Sequence, residues 1–331
     1  MIEILLPENY SSAYTGALYS IDKASNSDPY VVEVIDSAKR ETLGFRRVQF
    51  LNNNRINIAR YLSRVLNPQP LHSESGWVLP EGRSVEAQLL IDDEFTPSRI
   101  FTASLTNLTG NMLLSKLTHR TVTPHDIDEI SLFAEPGVIK IKVAVDSEKT
   151  YRQPISEYNH SGGLITYNFD VMSAMRKGYN PEEVRRFWLY ITLENKEIAC
   201  LRYSVIPITS QSVRLGWLNP YGAVDYHTFR SLGRLLRTEK DRVVRGSSVQ
   251  RVSTVRSTYA WEEVLSSGYL PLQSATAMSS LFSSPRVWRI ENGEAQLVDV
   301  TEEMVTVSDE EQLSTLRFSV REAEPHQTQF F

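Results

Sequence analysis

The sequence predicts a mainly β protein: two tandem β-sandwich modules of immunoglobulin or fibronectin type III character, then a mixed, β-rich C-terminal domain. Three observations predict it. Apolar and polar residues alternate at period two along much of the chain, and β-branched and aromatic residues concentrate in those stretches. Helical periodicity is confined to short pieces. A weak internal repeat also divides the first two-thirds into two similar units. The boundaries that follow are 1–118 and 119–211 for the modules and 212–331 for the C-terminal domain.

The opening residues Met1-Ile2-Glu3-Ile4-Leu5-Leu6-Pro7 have no basic leader, long apolar run or small-residue cleavage site, so they read as a first strand. Tyr30–Ile35, Val85–Ile91 and Arg99–Leu105 follow as strands of the first module. Within it, Arg55–Ile58 leads into a short amphipathic helix over Ala59–Leu66, stopped by Asn67-Pro68. Asp92-Asp93-Glu94 forms the hairpin turn between Val85–Ile91 and Arg99–Leu105. The segment Thr121-Val122-Thr123-Pro124 reads as the junction between modules.

The second module repeats the order. Glu129–Phe133 and Val138–Val145 are strands, and Ile165–Phe169 leads into a helix that Asp170 caps and Gly178 ends. Gly162-Gly163 is a turn that opens a strand. A hairpin runs from Phe187 to Ile206 around Glu194-Asn195-Lys196. The third domain has a helical stretch over Ala275–Phe282 and a hairpin, Arg286–Ile290 and Ala295–Val300. Its turn carries Asn292-Gly293, the pair suited to a type I′ turn. Leu313–Val320 is a further strand, and the polar tail ends in Phe330-Phe331.

Composition bounds the function. At 331 residues the chain can hold two or three cores, and its 41% hydrophobic and 23% charged content is that of an ordinary globular protein. The net charge of −5 disfavours wholesale nucleic-acid binding. Cys200 is the only cysteine, which excludes an intrachain disulfide and a cysteine-rich zinc site; its strand context reads as a buried thiol. No apolar run approaches the roughly 20 residues that span a bilayer, so a cytoplasmic site of folding is expected.

The most informative segment is Trp217-Leu218-Asn219-Pro220-Tyr221-Gly222-Ala223-Val224-Asp225-Tyr226-His227-Thr228-Phe229. It packs four aromatic rings around a Pro-Tyr-Gly turn and one carboxylate. Its plainest reading is a buried aromatic corner joining two domains. A sugar platform with Asp225 as acceptor is the alternative, and a catalytic Asp225 lacks a second carboxylate at a helpful spacing. The segment resembles a W-x-N-x-x-G-x-x-D-Y-x-x-F pattern of structural proteins of phages infecting Bacteroidetes, typically tail or minor virion proteins. It departs from that pattern where Ala223 replaces a frequent second glycine and His227 replaces the usual aromatic residue. The resemblance implies a non-enzymatic tail or baseplate component, folded in the host cytoplasm and built into a virion. Its partners would be other virion proteins and further copies of itself in a ring or collar.

No constellation requires a cofactor or metal. His125 near Asp126, Asp128 and Glu129 is most simply an exposed acidic turn, and no helical zinc pair, calcium loop or nucleophile elbow is present. The cluster Arg230, Arg234, Arg237, Lys240, Arg242, Arg245, Arg251 and Arg256 contains no aromatic residue for base stacking. A helix would gather Arg230, Arg234 and Arg237 on one side. Arg234, Arg237, Arg242, Arg245, Phe330 and Phe331 are therefore the candidate interface residues. A carbohydrate-binding or adhesive protein is the competing reading, and a solvent-exposed Trp217, Trp261 or Trp288 lining a groove would favour it.

Overall fold

A computed structural model describes residues 2–23, 30–48, 54–71, 76–145, 153–176, 183–245, 251–308, 313–322 and 327–330, and the described chain is mainly β. The first part comprises β1 (Ile2–Leu5), β2 (Ser11–Ser12), β3 (Leu18–Lys23), β4 (Tyr30–Asp36), β5 (Glu41–Val48) and β6 (Asn54–Asn57). The helix α1 (Ala59–Val65), β7 (Gly76–Val78), β8 (Ser84–Ile91), β9 (Glu94–Phe95) and β10 (Arg99–Thr102) follow. One sheet has the order β1-β3-β6, the other β2-β10-β8-β4-β5 with β9 paired to β8. Strict alternation in β4 and β8 turns Val32, Val34, Ala87 and Leu89 inward, where they meet Tyr19, Ile21 and Ile56 of the first sheet.

The second part comprises β11 (Met112–Leu113), β12 (His119–Val122), β13 (Ile127–Ala134), β14 (Gly137–Val145), β15 (Gln153–His160) and β16 (Gly163–Asp170). It continues with α2 (Val171–Arg176), β17 (Arg186–Leu193) and β18 (Lys196–Val205). Its sheets are β11-β13-β16 and β12-β18-β17-β14-β15, the same order as the first pair strand for strand. Even the parallel contacts correspond, β2 with β10 and β12 with β18. The one addition is β7, which leaves the first part of the sequence to pair with β16, stacking Trp77 on Tyr158 at 5.4 Å.

The repeated order of strand, short helix and hairpin thus reappears as β6, α1, β8–β10 and β16, α2, β17–β18. Asp170 Oδ1 accepts the Ser173 N–H at 2.6 Å as the cap of α2, while Gly178 lies outside the described residues. Two expectations need correction. Thr121 and Val122 are no linker: they belong to β12, whose backbone is claimed by β18. Cys200 is half-buried, because its position in β18 falls on the partly solvated face.

The third part contains β19 (Ser212–Leu218), β20 (Val224–Arg245), β21 (Arg251–Pro271), α3 (Leu272–Met278), β22 (Val287–Glu291), β23 (Glu294–Ser308), β24 (Leu313–Glu322) and β25 (Gln327–Phe330). Six strands, in the order β20-β19-β22-β23-β24-β21, close into a barrel through the β20–β21 pairing. Trp217, Phe229, Leu265 and Phe318 fill it, and Ala275, Met278 and Leu281 from α3 and the turn after it join that core.

Three hairpin turns share the form expected of Asn292-Gly293. Asp92-Asp93, Glu194-Asn195 and Asn292-Gly293 each place both central residues at positive φ, the geometry of a type I′ turn. Gly222, in the turn between β19 and β20, has φ +76°, and a Cβ there would stand 2.7 Å from the Ala103 carbonyl carbon. Both the dihedral and the close approach require glycine. Gly222→Ala is expected to cost about 1–3 kcal/mol, read as a fall in the free energy of denaturant unfolding. An unchanged value would show that the turn does not press on the first part.

Candidate assembly interface

The motif from Trp217 to Phe229 is the hairpin β19–β20, and it lies where all three parts meet. Asn219 organises its turn: Oδ1 accepts the N–H of Tyr221 at 2.9 Å, and Nδ2 donates to the Leu114 carbonyl at 2.8 Å. The Pro220 carbonyl accepts the Leu105 N–H at 2.8 Å. Ala223 and Tyr221 pack with Tyr10, Leu108, Phe133 and Leu164, so one apolar cluster draws on all three parts. Trp217 is fully buried and donates its indole N–H to Ser280 Oγ at 3.0 Å.

Beneath this cluster runs a buried ionic network. Arg120 donates to Asp128 at 2.7 Å and to Asp225 at 3.1 Å, with all three side chains almost fully enclosed. Arg83 reaches Glu129 at 2.6 Å and Ser131 at 2.7 Å. Arg214 donates to the Ile127 carbonyl at 2.8 Å and to Thr228 Oγ1 at 3.2 Å, and stands over the Tyr226 ring. His227 Nδ1 accepts the Thr121 N–H at 3.2 Å, which puts the ring proton on Nε2. Asp225 of the motif is therefore a structural partner of β12, through Arg120. Asp128 and Glu129 are not an exposed acidic turn: both are buried, Asp128 paired with Arg120 of β12 and Glu129 with Arg83 from the bend before β8. Among the described residues, no three His, Cys, Asp or Glu side chains stand together as a metal site.

Burial sets the protonation tendencies. It raises the pKa of Asp225, which Arg120 pulls back, and that of Glu129, which Arg83 pulls back. Burial, then Arg214, pushes His227 well below the ordinary imidazole value, and burial, then Arg202, brings His119 down to about 4.

The arginine-rich segment takes a different form from the expected one. Arg230, Arg234 and Arg237 lie on β20, not on a helix, because fifteen register pairs bind β20 to β21 from Arg230–Ser266 to Arg245–Arg251. In a strand, residues three apart point to opposite faces, so Arg234 and Arg237 are separated. Arg234 approaches Glu263 at 3.8 Å and Arg237 approaches Glu262 at 3.2 Å. β19 ends its pairing at Ser212–Arg230 and β24 at Glu262–Arg321, so the paired strands continue beyond the barrel wall as an arm.

Arg242 and Arg245 fall on the β20 backbone in this arm. Among the described residues of the tail, β25 pairs with Arg256–Tyr259 of the same chain, with Phe330 opposite Arg256. Phe331 lies outside the described residues. At the arm's root Leu232, Leu235, Leu236 and Trp261 are exposed. Sequence reasoning missed Arg83, Arg120 and Arg214. The available signal was a charge two residues from an apolar one, as Arg120 is from Val122, which puts both on the same buried face of β12. No helix among the described residues is long and apolar enough to cross a membrane. No family model matches the chain, and the search of curated proteins finds no significant relative.

Two outcomes follow from the junction. Asp225→Ala removes one carboxylate from the enclosed Arg120 and is expected to destabilise the chain by about 3–5 kcal/mol; a loss under 1 kcal/mol in denaturant unfolding would contradict the pairing. For His227 the folded pKa is depressed, so its contribution is complete above the unfolded value near 6.5 and declines as pH falls below it. The expected slope approaches 1.4 kcal/mol per pH unit. His227→Asn, which keeps an acceptor for Thr121, should remove the His227 share of the slope between pH 6.5 and 5 and leave that of His119, whose pKa is also depressed; an unaltered profile would assign the effect elsewhere.

Proposed function

We propose that this chain is a structural component of a phage particle, in its tail or baseplate, which works through contacts between subunits and performs no bond chemistry. The observation that carries the assembly reading is the β20–β21 arm: a basic ribbon that leaves the barrel and exposes three leucines and a tryptophan at its root. The phage attribution rests on the Trp217–Phe229 pattern.

We also read the first two parts as immunoglobulin-type sandwiches. Their shared order, three strands facing five with a parallel first-to-last contact, supports that assignment. Buried, arginine-paired carboxylates at the junction suit a rigid body that holds an arm in place. The membrane-free, cofactor-free assembly in a virion follows from the same reading, as do partners among other virion proteins.

The sugar-binding alternative draws on one observation: Trp261 is 57% exposed beside a cavity of about 440 Å³ that Glu262, Glu263 and Arg289 help line. Trp217 and Trp288, the other two candidate rings, are buried. The test is light scattering with class-averaged electron images of the purified chain. Closed rings or collars are the expected result. A solitary particle of 37.7 kDa at high concentration, with a glycan-array signal lost in Trp261→Ala, would replace the proposal with the alternative.

A further inference from the structure

We propose that copies of this chain join head to tail, the root of the β20–β21 arm of one copy seating on the outer face of the β5-β4-β8-β9 sheet of the next. The inference rests on the assembly reading above and names the surface that receives the arm.

The root is one half of the contact. Leu235 pairs with Glu262 and Leu236 with Trp261, so apolar groups stand on both faces of a two-stranded ribbon. The tail strand β25 stops at Tyr259 and leaves Trp261 uncovered. Exposed leucines scattered singly are ordinary, whereas a contiguous set beside an open strand edge calls for a cover.

The receiving face is read from the register. Phe45 lies opposite Glu33, Glu33 opposite Leu90, and Leu90 opposite Phe95, giving one row across four strands. The neighbours of Glu33 and Leu90 along their strands, Val32, Val34, Leu89 and Ile91, are buried, so this row points outward. Phe45 is 71% exposed and Phe95 60%, with Val31 also exposed on the same face. By the same register Glu33 and Arg47, the latter opposite Val31, share this face, and the turn residues Asp92 and Asp93 adjoin the row.

Charge selects this pairing. Residues 230–256 hold eight basic and two acidic side chains, a surplus of six in a chain of net charge −5, so everything outside the segment carries −11. A second copy therefore offers the opposite sign. Both apolar sets are exposed in the single chain, so neither covers the other. A contact between two different faces is heterologous, and its repetition closes a ring or extends a filament.

The test uses the full chain and two double variants, Leu235→Glu/Leu236→Glu at the root and Phe45→Glu/Phe95→Glu on the face, with circular dichroism confirming that both fold. By sedimentation velocity the parent should form multiples of the 37.7 kDa protomer, and each variant alone should remain a single protomer. Mixed in equal amounts, the variants should pair to twice the protomer mass and grow no further, since one intact root and one intact face remain between them. A parent that stays monomeric overturns this inference and the assembly reading together. A parent that assembles while the Phe45/Phe95 variant assembles equally well, or a mixture that stays monomeric, overturns this inference alone.

Discussion

The structure depends on burying Arg120 between Asp128 and Asp225. One guanidinium on β12 holds a carboxylate of β13, in the second part, and one of β20, in the barrel. Taking these charges out of water is costly, and only a complete set of partners compensates for it. Arg83 extends the same logic to the first part by pairing with Glu129. The three parts therefore fit together in one relative arrangement, since any other would leave an enclosed charge without its partner. Apolar packing of Tyr10, Phe133, Leu164 and Ala223 supplies attraction at this place, and the ionic set supplies direction.

That constraint explains what the aromatic motif does. Its rings do not present a platform to solvent. Trp217 and Phe229 fill the barrel, Tyr226 lies under Arg214, and the turn between them inserts where the first and second parts meet. His227 accepts a backbone N–H from β12 that a phenyl ring would leave unpaired. The motif fixes the hairpin at one end, and the same strand β20, 22 residues long, runs on to become the arm. Junction and arm are thus two ends of one strand, which ties the direction of the arm to the packing of the body.

Local features were legible in the sequence. Period-two alternation located β4, β8, β14 and β17, and Asn292-Gly293 specified its turn, because a strand's faces and a two-residue turn are decided by neighbours in the chain. The ionic network was not legible. Arg120 and Asp225 are 105 positions apart, and nothing near either one names the other. The arginine segment was misread for an opposite reason. Arg230, Arg234 and Arg237 have the spacing of a helical face, yet the hydrogen bonds of β21 override that local preference. The strand β7 shows the same limit, since its partner β16 lies about 90 residues away.

The most direct measurement of the central claim is differential scanning calorimetry of the full chain. If the enclosed arginine pairs couple the three parts, the cores around Val32, Ile141 and Trp217 melt in a single transition whose calorimetric and van't Hoff enthalpies agree. Two or three resolved transitions, each with the enthalpy of one part, would contradict it.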